Sequence, residues 1–89
     1  MTKTIWKTQL KPSDVQEISV PEGAEFLTAR EQHEQICVWF RCDPLAPKVK
    51  AKVAIVGTGH EAPEDGRYLG TASLQGGLMM FHVFVKESV

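Results

Sequence analysis

With 89 residues, 43% of them hydrophobic and 24% charged, and a net charge of −1, the chain has the composition of a single small globular domain over residues 1–89. That balance excludes gross disorder, and no apolar stretch approaches the ~20 residues a membrane-spanning helix needs. The near-neutral charge gives no field that would draw the chain onto nucleic acid, so neither nucleic acid nor a membrane is expected as a partner.

The start, Met1-Thr2-Lys3-Thr4-Ile5-Trp6-Lys7, has a lysine but no apolar core or small-residue cleavage site, which points to the cytoplasm rather than secretion. A first strand is predicted over 4–10, followed by a turn at Lys11-Pro12-Ser13-Asp14, where proline cannot donate to a ladder. A second strand covers 15–20. Pro21-Glu22-Gly23 then reads as a tight type I turn, with proline at its first central position and glycine last. The third strand, 25–30, leads through a glycine-free loop at Gln32-His33-Glu34 into the densest apolar run of the first half, 35–43.

As an extended strand, that run places Ile36, Val38, Phe40 and Cys42 on one face and Cys37, Trp39 and Arg41 on the other. Both faces are apolar at the centre, unlike a half-solvated strand. Cys37 and Cys42 fall on opposite faces, about 16 Å apart at the strand rise. A disulfide requires Cα atoms within about 7 Å, so both are expected as reduced, buried thiols.

Asp43-Pro44-Leu45-Ala46-Pro47 ends this strand. In the fifth, 49–56, Lys50 and Lys52, with Lys48 just before them, alternate with Val49, Ala51 and Val53, as in a strand with one solvated face. Gly57-Thr58-Gly59-His60 closes it and a polar loop follows to Gly66. The sixth strand, 68–74, turns at Gln75-Gly76-Gly77-Leu78, the clearest hairpin in the chain, because glycine adopts positive φ freely. The last strand runs to Lys86, with Met79, Phe81, Val83 and Val85 on one face and Leu78, Met80, His82 and Phe84 on the other. Six to seven short strands without a helical period predict an all-β fold, a single small antiparallel β-sandwich or barrel.

Two surfaces are candidates for function. If Ile36, Val38 and Phe40 pack inward against Phe81 and Val83, then Cys37, Trp39, Met80, His82 and Phe84 are left for an outer face suited to a protein interface, unless the chain covers that face itself, for instance with the hairpin carrying Trp6. The second is Gly57, Thr58, Gly59 and His60, with Tyr68: paired glycines allow close backbone approach, and their amides could cradle an anion beside an imidazole. A dinucleotide fingerprint needs a third glycine and a helix, and a phosphate-binding loop its lysine, none of which is present. His33, His60 and His82 are too scattered for a metal site, Ser73 lies within a predicted strand, and no spacing pairs a cysteine with a histidine. No metal, cofactor or catalytic residue is expected, and the chain is read as non-enzymatic.

Taken together, Thr4-Ile5-Trp6-Lys7, Val20-Pro21-Glu22-Gly23-Ala24, Trp39, Gly57-Thr58-Gly59-His60, Tyr68-Leu69-Gly70-Thr71 and Phe81-His82-Val83-Phe84 resemble a group of small proteins of unassigned function encoded by tailed bacteriophages and prophages. The resemblance spans almost the whole chain and departs mainly in the loop after Pro44. It implies an accessory protein acting in the infected bacterial cytoplasm, and it brings no activity with it. The expectation is a protein that binds a protein partner, as a homo-oligomer and with a host protein, including a component of antiviral defence, as a further partner. The alternatives are a binder of a phosphate-bearing or nucleotide-like small ligand at Gly57–His60 with Tyr68 and His82, and a minor virion structural protein.

Overall fold

The computed structural model describes residues 2–12 and 14–86. Ser13, in the predicted first turn, lies outside them. The fold is all-β, with seven strands among the described residues: β1 (Thr4–Leu10), β2 (Val15–Pro21), β3 (Glu25–Gln32), β4 (Gln35–Cys42), β5 (Lys48–Gly57), β6 (Arg67–Leu74) and β7 (Met79–Lys86). They form two antiparallel sheets, β1-β4-β3 and β2-β5-β7-β6, stacked as a sandwich. No helix among the described residues is long and apolar enough to cross a membrane.

Period-two alternation dictates the packing. Ile36, Val38, Phe40 and Cys42 of β4 and Val83 and Val85 of β7 turn into one shared core, each almost wholly buried, with Phe81 packed against it. In β5 the lysines at 48, 50 and 52 are exposed while Ala51, Val53 and Ile55 are buried. Burial of a side chain such as Phe40 or Ile36 contributes about 1.5–3 kcal/mol, so these alternating rows hold the sheets together.

The sandwich is closed on one side, where β3 meets β6. Both strands carry a bulge there, at Leu27 in β3 and at Leu69 in β6. The Arg67 guanidinium donates across the seam to the Phe26 carbonyl at 2.7 Å. On the open side, β1 and β2 are linked through the Gln16 carboxamide, which accepts from the Lys11 amide at 3.0 Å and donates to the Lys11 carbonyl at 2.8 Å. This side chain pairs with Lys11 as a strand backbone would.

Three turns differ from expectation. Pro21 occupies the first position of its turn, accepting from Ala24, and Gly23 sits third at φ +82°, which type II rather than type I requires. His33 and Glu34 both take positive φ (53° and 62°), a primed two-residue hairpin made without glycine. The β6–β7 connection uses three successive positive-φ residues, Gln75, Gly76 and Gly77, in a short 3₁₀ turn. The Gln75 amide donates to Glu34 at 2.9 Å, joining the hairpin tips of the two sheets.

The five residues expected on one interface do not share a surface. β4 and β7 face each other across the core, so their second faces must point in opposite directions. Trp39 and Cys37 belong to the outer side of the three-stranded sheet, and Met80, His82 and Phe84 to that of the four-stranded sheet. Cys37 is nonetheless 2% exposed, set in register between Gln9 and Arg30. Both cysteines are free thiols.

Candidate functional site

The outer side of the four-stranded sheet carries the more apolar of the two surfaces. Register places Val15, Ala54, Phe84 and Tyr68 in one row across all four strands, with Val56, His82 and Thr71 in the next. Val15, Tyr68 and Met80 are exposed at 59%, 52% and 40%, while Phe84 and His82 are half-buried. Tyr68 meets the Phe84 ring edge-on with centroids 5.6 Å apart, an arrangement aromatic quadrupoles favour. Below this row the surface becomes charged, with Glu17, Lys52, Lys86 and Asp65.

His82 is held at both nitrogens. Its Nε2 lies 2.7 Å from the Thr58 hydroxyl and its Nδ1 3.0 Å from the Thr71 hydroxyl, which also bonds the Tyr68 phenol. A neutral imidazole donates from one nitrogen and accepts at the other, so the order of the chain is set by its tautomer. With the proton on Nδ1, Thr58 donates to Nε2, Thr71 accepts from Nδ1 and donates to the Tyr68 oxygen, and the phenol is left to donate outward. With the proton on Nε2, the sense reverses and Thr58 becomes the outward donor. Either way the ring is locked in orientation on a rigid sheet.

Tyr68 and Thr71 are three apart and would fall on opposite faces of a regular strand. The bulge at Leu69 shifts the register and brings both outward. Period-two alternation alone does not bring Thr71 to this site; the sign of the bulge in the sequence is a glycine inside the strand, at Gly70.

Gly57-Thr58-Gly59-His60 forms a tight turn, with the His60 amide donating to the Gly57 carbonyl at 3.1 Å and Gly59 at φ +93°. The Thr58 amide donates to the Met80 carbonyl at 3.3 Å. Two of the amides on which an anion nest would draw are therefore engaged within the protein, and the His60 ring folds back on Gly57 instead of reaching outward. What the loop contributes to the site is the Thr58 hydroxyl.

β5 and β6 are both antiparallel to β7 and so parallel to each other, which forces residues 58–66 to return along the sheet. This crossover, rather than the hairpin carrying Trp6, is what covers part of the outer face. Pro63 and Asp65 line a groove of about 200 Å³ with Val15, Ala54 and Phe84. His60, Glu61 and Ala62 line another, of about 340 Å³, with Val15, Ala54 and Val56. Lys86 pairs with Asp65 at 3.0 Å and holds that carboxyl below its usual range, first by its hydrogen bond and then by its charge. A third groove, of about 340 Å³, runs from Thr58 and His60 to Leu78, Met79 and Met80 at the β6–β7 hairpin.

The opposite surface, around Trp39, is mainly polar. Trp39 lies in register between Lys7 and Thr28, Lys7 bonds Gln32, and Arg41 forms an ion pair with Glu25. Trp6 packs against the core, and the Lys48 ammonium stands 4.9 Å from its ring centroid. The Cys42 thiol, buried in the core, is pushed above its usual pKa by desolvation. No group of three or more His, Cys, Asp or Glu converges among the described residues.

A family model described as a domain of unknown function (DUF7352) matches residues 1–89. No curated protein and no solved structure matches the chain significantly.

Proposed function

We propose that this chain, which belongs to the DUF7352 family of domains of unknown function, is a non-enzymatic accessory protein that works by binding other proteins through the outer face of its four-stranded sheet. One observation carries the reading: Phe84, Tyr68 and Met80 surround a histidine fixed at both nitrogens, on a surface open to solvent. Aromatic rings and methionine set on rigid strands are what interface centres use, and the charged residues below them supply a rim of both signs. The non-enzymatic part of the reading is supported by the two thiols, which are both buried and so closed to a substrate.

The phage resemblance supports a partner in the infected bacterial cytoplasm, a host protein such as a component of antiviral defence, with self-association as a further part of the function. The separation of the two outer faces supplies the test. Met80→Glu should abolish capture of the partner from host lysate, while Trp39→Ser, on the other side, should leave it intact. Equal loss in both variants, with both still folded, would overturn the assignment of the face.

A further inference from the structure

Four strands lie at sheet edges, and three of them are protected. β3 and β6 cover each other, with the main chains at Ala29 and Gly70 in close approach. β1 bears an exposed lysine at position 7 and is flanked by exposed lysines at 3 and 11, which oppose pairing with another chain. β2 has neither device. It pairs with β5 without a register shift over seven residues, carries no lysine, and among the described residues has no strand on its other side.

Which groups it offers follows from parity. Ile55 donates to the Asp14 carbonyl and Glu22 to the Pro47 carbonyl, both at 2.8 Å, so even-numbered residues of this segment bond to β5. Val15, Glu17 and Ser19 therefore direct their amides and carbonyls to the free edge. Pro21 has no amide, and its carbonyl accepts from Ala24.

We propose that this edge pairs with β2 of a second copy, antiparallel about a two-fold axis at Ile18, joining the two four-stranded sheets into one. The inference rests on the self-association part of the function proposed above and assigns it to a different surface. In this register Glu17 faces Ser19 of the second copy, and the two residues exchange their amide bonds, giving about four inter-chain bonds in total. Charge selects the same register. Glu17 stands beside Lys52 and Ser19 beside Lys50, so each Glu17 sits in a row between its own Lys52 and Lys50 of the second copy. Centring the axis on Glu17 would instead set two carboxylates face to face. The joined sheet carries two His82 faces on one side, which makes the dimer bivalent toward a repeated or dimeric partner.

The test is the association state over a concentration series, by light scattering and sedimentation. Wild type is expected to dimerise. Ser19→Pro removes an amide that β5 does not use, and proline favours extended backbone at the residue before it, so the fold should hold by circular dichroism while dimerisation weakens about thirtyfold. Glu17→Lys should dissociate the dimer, and adding Ser19→Glu to it should restore association, because the new charges then face each other. A wild type that stays monomeric up to about 1 mM would overturn the inference and the self-association with it, leaving capture of a host partner to stand or fall on its own test. A dimer that survives Ser19→Pro but is lost in Met80→Glu would overturn the edge pairing and return self-association to the His82 face.

Discussion

A methyl group placed on Gly70 would lie 2.2 Å from the carbonyl oxygen of Ala29. The seam between β3 and β6 therefore admits no side chain at this position. Gly70→Ala is expected to destabilise the protein by about 3 kcal/mol, since backbone faces backbone and neither can move aside cheaply. Gly59→Ala meets open space and bears only the positive-φ penalty, about 1 kcal/mol. Thermal or denaturant unfolding of the two variants should separate clash from backbone strain, and equal losses would contradict the closeness of the seam.

Gly70 also shows how far the sequence could be read. The strands, the shared core of Ile36, Val38, Phe40, Phe81 and Val83, the solvated lysines of β5 and the free cysteines all follow from alternation and spacing, which are local. Sheet membership is not local. Two strands apolar on both sides suggested one combined surface, but strands that share a core in a sandwich turn their other faces apart, so Trp39 and Phe84 are separated by the thickness of the domain. The His82 site was legible only in pieces. Thr58, Tyr68 and His82 were each marked, yet their meeting depends on the bulge at Leu69 and on strand order, neither of which a period can announce.

Acid should weaken the fold through two exposed pairs. Arg41 holds the Glu25 carboxyl below its usual range by hydrogen bond and then charge, as Lys86 does for Asp65. Both groups bind protons less readily folded than unfolded, so their stabilisation is present above the ordinary carboxylate range and is lost as pH falls through the lowered values. Solvent screening keeps the effect small. Thermal midpoints between pH 7 and pH 3 should fall less steeply in a Glu25→Gln/Asp65→Asn variant than in wild type; parallel slopes would show that neither pair contributes.

The β3–β4 hairpin carries removable strain. His33 at φ 53° occupies a conformation that asparagine tolerates better than histidine does. His33→Asn should stabilise the protein by about 0.5–1 kcal/mol. Glu34→Gly relieves similar strain but forfeits the bond from Glu34 to the Gln75 amide, so its net effect should be near zero. A chemical-denaturation series checks the order of the two; a larger gain from Glu34→Gly would mean that the contact between hairpin tips is without value.

The four-member relay at His82 should behave as a unit. Thr71→Val keeps the shape of the side chain but removes the hydroxyl that joins His82 Nδ1 to Tyr68, and Thr58→Val removes the partner of Nε2. Each alone is expected to cost about 1 kcal/mol, because the half-exposed ring can recover some of its bonding from water. Once one threonine is gone the imidazole is free to reorient, and the second bond no longer depends on the same geometry. The double variant should therefore lose less than the sum, with a coupling of about 0.5 kcal/mol or more in a double-mutant cycle. Strict additivity would mean that the two hydroxyls hold the ring independently. The ring would then be no better ordered than an ordinary surface histidine, and the case for the outer face of β7 as a prepared docking surface would lose its physical basis.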